Sequence, residues 1–131
     1  MPSRVPTIAT HRDADYPGHH DAEVNFWVPL VDVSEGERWR SMALWLETAP
    51  ERADYRAVPL RQGEALRFNG SLCRHHTVPN ASDRTRVSFD LRAIPASAVH
   101  PRGGGGGGSG SYGGGVTRIG DYDACFVAAA A

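Results

Sequence analysis

Cys73-Arg74-His75-His76-Thr77-Val78-Pro79-Asn80-Ala81-Ser82-Asp83-Arg84-Thr85-Arg86-Val87-Ser88-Phe89-Asp90-Leu91-Arg92 reads as two strands joined by a turn. Pro79-Asn80 interrupts the pairing, because proline has no N–H to donate to a ladder and asparagine favours turns. Beyond the turn, Val87, Phe89 and Leu91 alternate with Arg86, Ser88, Asp90 and Arg92. That period of two is the one a strand imposes on its two faces.

The same alternation recurs upstream. In Glu23 to Val31, the residues Val24, Phe26, Val28 and Leu30 oppose Asn25, Trp27 and Pro29. Shorter strand candidates are Val5 to Thr10, Ser41 to Glu47, Tyr55 to Leu60, Glu64 to Phe68 and Leu72 to Val78, and Arg84 to Ile94 is the longest. Turn signals at Pro17-Gly18, Gln62-Gly63 and Asn69-Gly70 separate them. No segment sustains a 3.6-residue period. Short strands with turns between them indicate an all-β sandwich or barrel, and the expectation is a double-stranded β-helix (jelly roll) over residues 1–100.

After Pro95 the composition changes. Residues 103–115 are ten Gly, two Ser and one Tyr, so 101–115 reads as a flexible linker and 116–131 as a C-terminal tail.

The chain has 131 residues, 14 basic and 15 acidic, for a formal net charge of -1. That balance and the absence of a Lys/Arg run argue against nucleic acid and a membrane surface as partners. No apolar run has the length of a membrane span, and the first residues carry no apolar signal core. Cys73 and Cys125 form neither a disulfide framework nor a C-x-x-C pair. A reducing, cytoplasmic setting is expected. Oligomeric state is not legible.

Two groups of residues could carry chemistry. The first is His11-Arg12-Asp13, a His-x-Asp pair at the end of a strand-like segment. With a distant second histidine it makes a 2-His-1-carboxylate facial triad, which leaves three octahedral positions open. Alone the pair is weak, since about one His-x-acid pair is expected by chance in a chain of this composition. His19-His20-Asp21 is a rival, but it lies inside a turn. The second group is the hairpin quoted above, in which Arg86 and Ser88 share a strand face and could clamp a carboxylate. Cys73, two residues before His75, is a soft ligand or a small hydrophobe. The aromatic Trp27 suits core packing at least as well as a pocket wall.

Taken together, His11 to Val33 and Gly63 to Arg92 resemble the two halves of the phytanoyl-CoA dioxygenase-like superfamily of Fe(II)/2-oxoglutarate oxygenases. Within it, Asn25 to Leu30 and Cys73 to Arg92 are similar to the StrG-like proteins of streptomycin biosynthesis. In the superfamily the distal histidine stands five residues before the Asn and eleven before the Arg. His75 has both spacings, to Asn80 and Arg86, and His76 has neither. The resemblance thus implies His11, Asp13 and His75 as Fe(II) ligands. It implies Arg86, Ser88 and Asn25 as contacts of the 2-oxoglutarate co-substrate and Trp27 as a wall of the substrate pocket. The implied reaction hydroxylates a small molecule with O2 while 2-oxoglutarate is decarboxylated to succinate. Only ten residues precede His11 where the family has a substantial segment, so the jelly roll is expected to lack its usual N-terminal part. Two other readings compete: a cupin-type metal protein, motivated by His76-x-x-x-Asn80, and a truncated, inactive jelly-roll remnant.

Overall fold

The computed structural model describes residues 4–20 and 22–95. The longest alternating segments become the longest strands. β1 is Val24–Pro29 and β6 is Ser88–Ala93. Between them lie β2 (Trp45–Leu46), β3 (Arg56–Ala57), β4 (Leu66–Phe68) and β5 (His75–His76). The helical elements among the described residues are two 3-10 turns, Asp13–Asp15 and Trp39–Ser41. The all-β expectation therefore holds. Among the described residues, no helix is long and apolar enough to cross a membrane.

The strands form two antiparallel three-stranded sheets, ordered β4-β1-β6 and β3-β2-β5. The chain starts in the first sheet, spends β2 and β3 in the second, then returns for β4, crosses for β5 and returns for β6. An isolated antiparallel bridge, His11 to His75, extends the second sheet beyond β5. Trp27, Leu66 and Phe68 of the first sheet join Leu46 of the second in one apolar cluster with Val33, Met42, Leu44, Val58, Leu60 and Cys73. Burying such side chains contributes roughly 1.5–3 kcal/mol each. Together they fix both sheets behind the residues that precede and follow them.

Several expectations are corrected. Val5 to Thr10 forms no strand; the pairing begins only at the His11 bridge. Pro6 cannot donate to a ladder, and Ile8 is tied to Thr77 by backbone and side-chain bonds rather than by strand pairing. Ser41 to Glu47 shortens to two residues because a 3-10 turn takes its start. Cys73, left open between a soft ligand and a small hydrophobe, is fully buried in the apolar cluster and serves there as a small hydrophobe. The linker at 101–115 and the tail at 116–131 lie outside the described residues.

The register of β1 with β6 sets Asn25 opposite Arg92, Trp27 opposite Asp90 and Pro29 opposite Ser88. The polar residues of β6 thus share a face with the inward residues of β1. The apolar alternates of β6 point outward, with Val87, Phe89 and Leu91 at 46, 56 and 56% exposure.

Candidate metal centre

His11, Asp13 and His75 converge: one ligand atom from each lies within 4.8 Å of the others. The backbone brings them together. His11 and His75 exchange N–H···O bonds of 3.2 and 3.0 Å across their bridge, and the Asp13 N–H donates to the Gly70 carbonyl at 2.8 Å. The Nε2 atoms of His11 and His75 stand 3.5 and 3.7 Å from Asp13 Oδ1.

The tautomers follow from the partners. His11 Nδ1 lies 2.8 Å from the Ala9 carbonyl and His75 Nδ1 lies 3.1 Å from that of Cys73. A carbonyl can only accept, so each Nδ1 carries the proton, and in the neutral ring Nε2 presents a lone pair. Two lone pairs and a carboxylate oxygen then face one another with no proton between them. That donor set is one that a divalent cation satisfies, and a Nδ1–H held by a carbonyl is the usual orienting bond of a metal-binding histidine. Burial holds the His75 ring below the ordinary histidine pKa, which favours its neutral, ligating form.

Asp13 is itself oriented. It is 1% exposed, and its Oδ2 accepts from Asn25 Nδ2 at 2.7 Å and from Arg92 Nε at 3.2 Å. Burial alone would raise its pKa, but the bonds from Asn25 and Arg92 and the charge of Arg92 outweigh it and hold the carboxyl below its usual range. Oδ1 is left facing the imidazoles. Asn25 is fixed in turn, since its Oδ1 accepts from the Gly70 N–H at 3.1 Å. The resemblance sets Asn25 against the co-substrate; here its Nδ2 donates to Asp13 and its Oδ1 accepts from the Gly70 N–H. Asn25→Ala is expected to strand a buried N–H at Gly70 and destabilise the metal-free protein by about 1–3 kcal/mol. Urea denaturation measures this, and an unchanged midpoint would contradict the assigned role.

The remaining sequence candidates fall in different places. Arg86 donates through Nη2 to Thr7 Oγ1 at 2.7 Å. It lines a cavity of about 220 Å³ with Thr7, Asn80, Ser82, Asp83, Arg84 and Thr85, none of them a member of the triad. Its Nη1 is buried without a hydrogen-bond partner, and burial lowers its pKa. Ser88, half-buried, sits opposite Pro29 on the same strand face as Arg86. Trp27, expected to wall a pocket, is 2% exposed inside the apolar cluster and serves as core. His76 points to the opposite side of β5 from His75, stacking on Trp45 at 6.1 Å and edge-on to Tyr55 at 4.8 Å. Of the rival motif, Asp21 lies outside the described residues, while His19 Nδ1 bonds Glu23 Oε2 at 2.8 Å.

Three charged residues at the centre escape a reading by sequence: Glu23, Asp90 and Arg92. Arg92 Nε lies 3.9 Å from Glu23 Oε2, and its Nη2 lies 3.9 Å from Asp90 Oδ2. Burial pushes the Asp90 carboxyl above its ordinary pKa, with the Arg92 charge opposing and the Asp13 charge adding. Alternation alone puts Asp90 and Arg92 on the Arg86 face. What it lacks is the register that sets Arg92 opposite Asn25.

No family model matches the chain, and no solved structure matches it. Among curated proteins it is similar to the streptomycin biosynthesis protein StrG of Streptomyces griseus, with 36% identity over 91 residues. The match covers 70% of this chain and 39% of that protein. The chain therefore spans about two fifths of the length of the curated relative it matches.

Proposed function

We propose that this chain carries the jelly-roll core of a non-haem Fe(II), 2-oxoglutarate-dependent oxygenase of the phytanoyl-CoA dioxygenase-like superfamily, acting on a small molecule with O2 in the cytoplasm. The observation that carries this reading is the convergence of two imidazole lone pairs and one carboxylate oxygen on a single point. The alternation of strands between two antiparallel sheets supports the jelly roll, and the similarity to a biosynthetic protein supports a role in secondary metabolism. In the same reading, residues 1–100 form the catalytic core, 101–115 a linker and 116–131 a tail.

The site's residues fit the two groups. His11, Asp13 and His75 would hold the metal through one face, as a facial triad does. Arg86 suits the distant carboxylate of the keto acid: its Nη1 is a buried cationic donor without a partner. Ser88, on the same face, would add a hydrogen bond. Arg86 bonds Thr7, and the adjoining Ile8 is tied to Thr77, two residues from His75. When bound, iron and 2-oxoglutarate would supply, with O2, the oxidant for a C–H bond, one oxygen atom going to the substrate and the other to the succinate formed with CO2. The chain's own residues orient: the Ala9 and Cys73 carbonyls aim the rings, Asn25 and Arg92 aim Asp13, and the apolar cluster behind His75 keeps water from that side.

The cupin reading has less support, because its His76 faces away from His75, stacked on Trp45 and edge-on to Tyr55. The test is anaerobic titration with Fe(II) and then 2-oxoglutarate, followed by visible absorption. A charge-transfer band is expected in the native protein. Arg86→Ala is expected to need about 10–100-fold more 2-oxoglutarate to develop it, the equivalent of roughly 1.5–3 kcal/mol of charged hydrogen bonding. A folded protein that binds Fe(II) and gives no band would sink the 2-oxoglutarate assignment.

A further inference from the structure

Among the described residues a second group could also hold a cation: Asp13, His19 and Glu23. It shares Asp13 with the triad but uses the other side of it. Asp13 Oδ1 faces the two triad imidazoles, whereas Oδ2 faces Arg92. On the far side of Arg92, Glu23 Oε2 is held by His19 Nδ1 at 2.8 Å. Glu23 is as buried as Asp13, at 1% exposure each. Two adjoining groups of His and carboxylate ligands bridged by one carboxylate are the usual makings of a two-metal centre, whose ions stand about 3.5–4 Å apart.

Here the second position already holds a positive charge. Arg92 Nε stands 3.2 Å from Asp13 Oδ2 and 3.9 Å from Glu23 Oε2, and Nη2 stands 3.9 Å from Asp90 Oδ2. One guanidinium therefore bonds one carboxylate and lies within 4 Å of two more. Formally, those three negative charges are balanced by the guanidinium and one divalent ion, which leaves no charge deficit for another cation. Guanidinium is planar and, in proteins, permanently charged, so it fills the position without exchanging with solvent metal.

We propose that Arg92 is the internal counter-cation of this centre, occupying the place between Asp13 and Glu23 that a second metal ion would take and so keeping the site mononuclear. The proposal rests on the metal reading of His11, Asp13 and His75. Its consequence is specific: removing the guanidinium creates a second site from residues that are already in place.

The test is metal stoichiometry with Mn(II) as an oxygen-stable probe, by equilibrium dialysis of the full chain, with electron paramagnetic resonance to detect coupled ion pairs. The native protein and Arg92→Lys are expected to bind one ion. Arg92→Ala is expected to bind two, with an exchange-coupled signal, and Arg92→Ala combined with Glu23→Gln is expected to return to one. If Arg92→Ala does not fold, Arg92→Gln, neutral and of similar reach, takes its place with the same expectation. A neutral Arg92 variant that is folded and binds one ion or none overturns the proposal while the native protein's single, His75-dependent ion leaves the metal reading intact. A native protein that binds no ion overturns both.

Discussion

His75→Ala is expected to abolish stoichiometric binding of Fe(II) or Mn(II). In the proposed site the residue would supply one of three ligand atoms, and its ring is 2% exposed, so water enters poorly to replace it. Loss of a mere orienting partner costs roughly 10–100-fold in metal affinity; loss of a ligand should exceed that range. The neighbouring substitution makes the contrast sharp. His76 is adjacent in sequence, but successive strand residues face opposite ways, and its ring lies against Trp45 and Tyr55. His76→Ala is therefore expected to bind metal as the native protein does. Calorimetric titration of both variants, with circular dichroism to confirm folding, decides the matter. Equal losses in the two, or metal retained in folded His75→Ala, would remove His75 from the site.

Gly70→Ala is expected to damage the centre without touching any of its ligands. A Cβ at this position would lie 2.7 Å from Cγ, Nδ2 and Oδ1 of Asn25, closer than van der Waals contact permits. Asn25 cannot swing aside cheaply. It is fully buried, its Oδ1 accepts from Gly70 itself, and its Nδ2 holds Asp13. Either the amide moves and releases Asp13, or the Gly70 backbone moves and takes with it the carbonyl that accepts the Asp13 N–H. Overpacking of this kind costs about 1–3 kcal/mol, and the misaimed carboxylate should weaken metal binding by roughly 10–100-fold. Thermal denaturation and metal titration measure the two effects. A variant with native stability and native affinity would show that the Asn69-Gly70 turn has no hold on the centre.

Much of this arrangement is legible in the amino-acid sequence alone. Alternation in Glu23 to Val31 and Arg84 to Ile94 marks the two long strands, because a half-buried strand needs one face unlike the other. The spacing of His75 to Asn80 and Arg86 separates it from His76. The short strands read as longer than they are, since β2, β3 and β5 are paired over only two residues each, and a two-residue pairing leaves no periodic signature. Val5 to Thr10 looks like a strand by composition, but Pro6 and the lack of a continuous partner leave it outside the ladder. Arg92, Glu23 and Asp90 are invisible for a different reason. Their importance depends on which residues of β1 and β6 stand opposite each other, and on a loop that returns Glu23 to Asp13. Neither is written in local periodicity. Gly70 is legible as a turn residue, whereas the need for its missing side chain comes from the distance to Asn25.

The two histidine anchors have a consequence for how such a site can change over evolutionary time. Each ring is tied to the carbonyl two positions earlier in its own chain, Ala9 for His11 and Cys73 for His75. A carbonyl is present whatever amino acid occupies those positions. The aim of both ligands is therefore insulated from the genetic drift of their neighbours, and selection has only to preserve the path of the main chain. The carboxylate has no such insurance, because its aim is set by side chains and by one glycine. Lineages that lose this centre would be expected to lose it first at Asp13 and its supports.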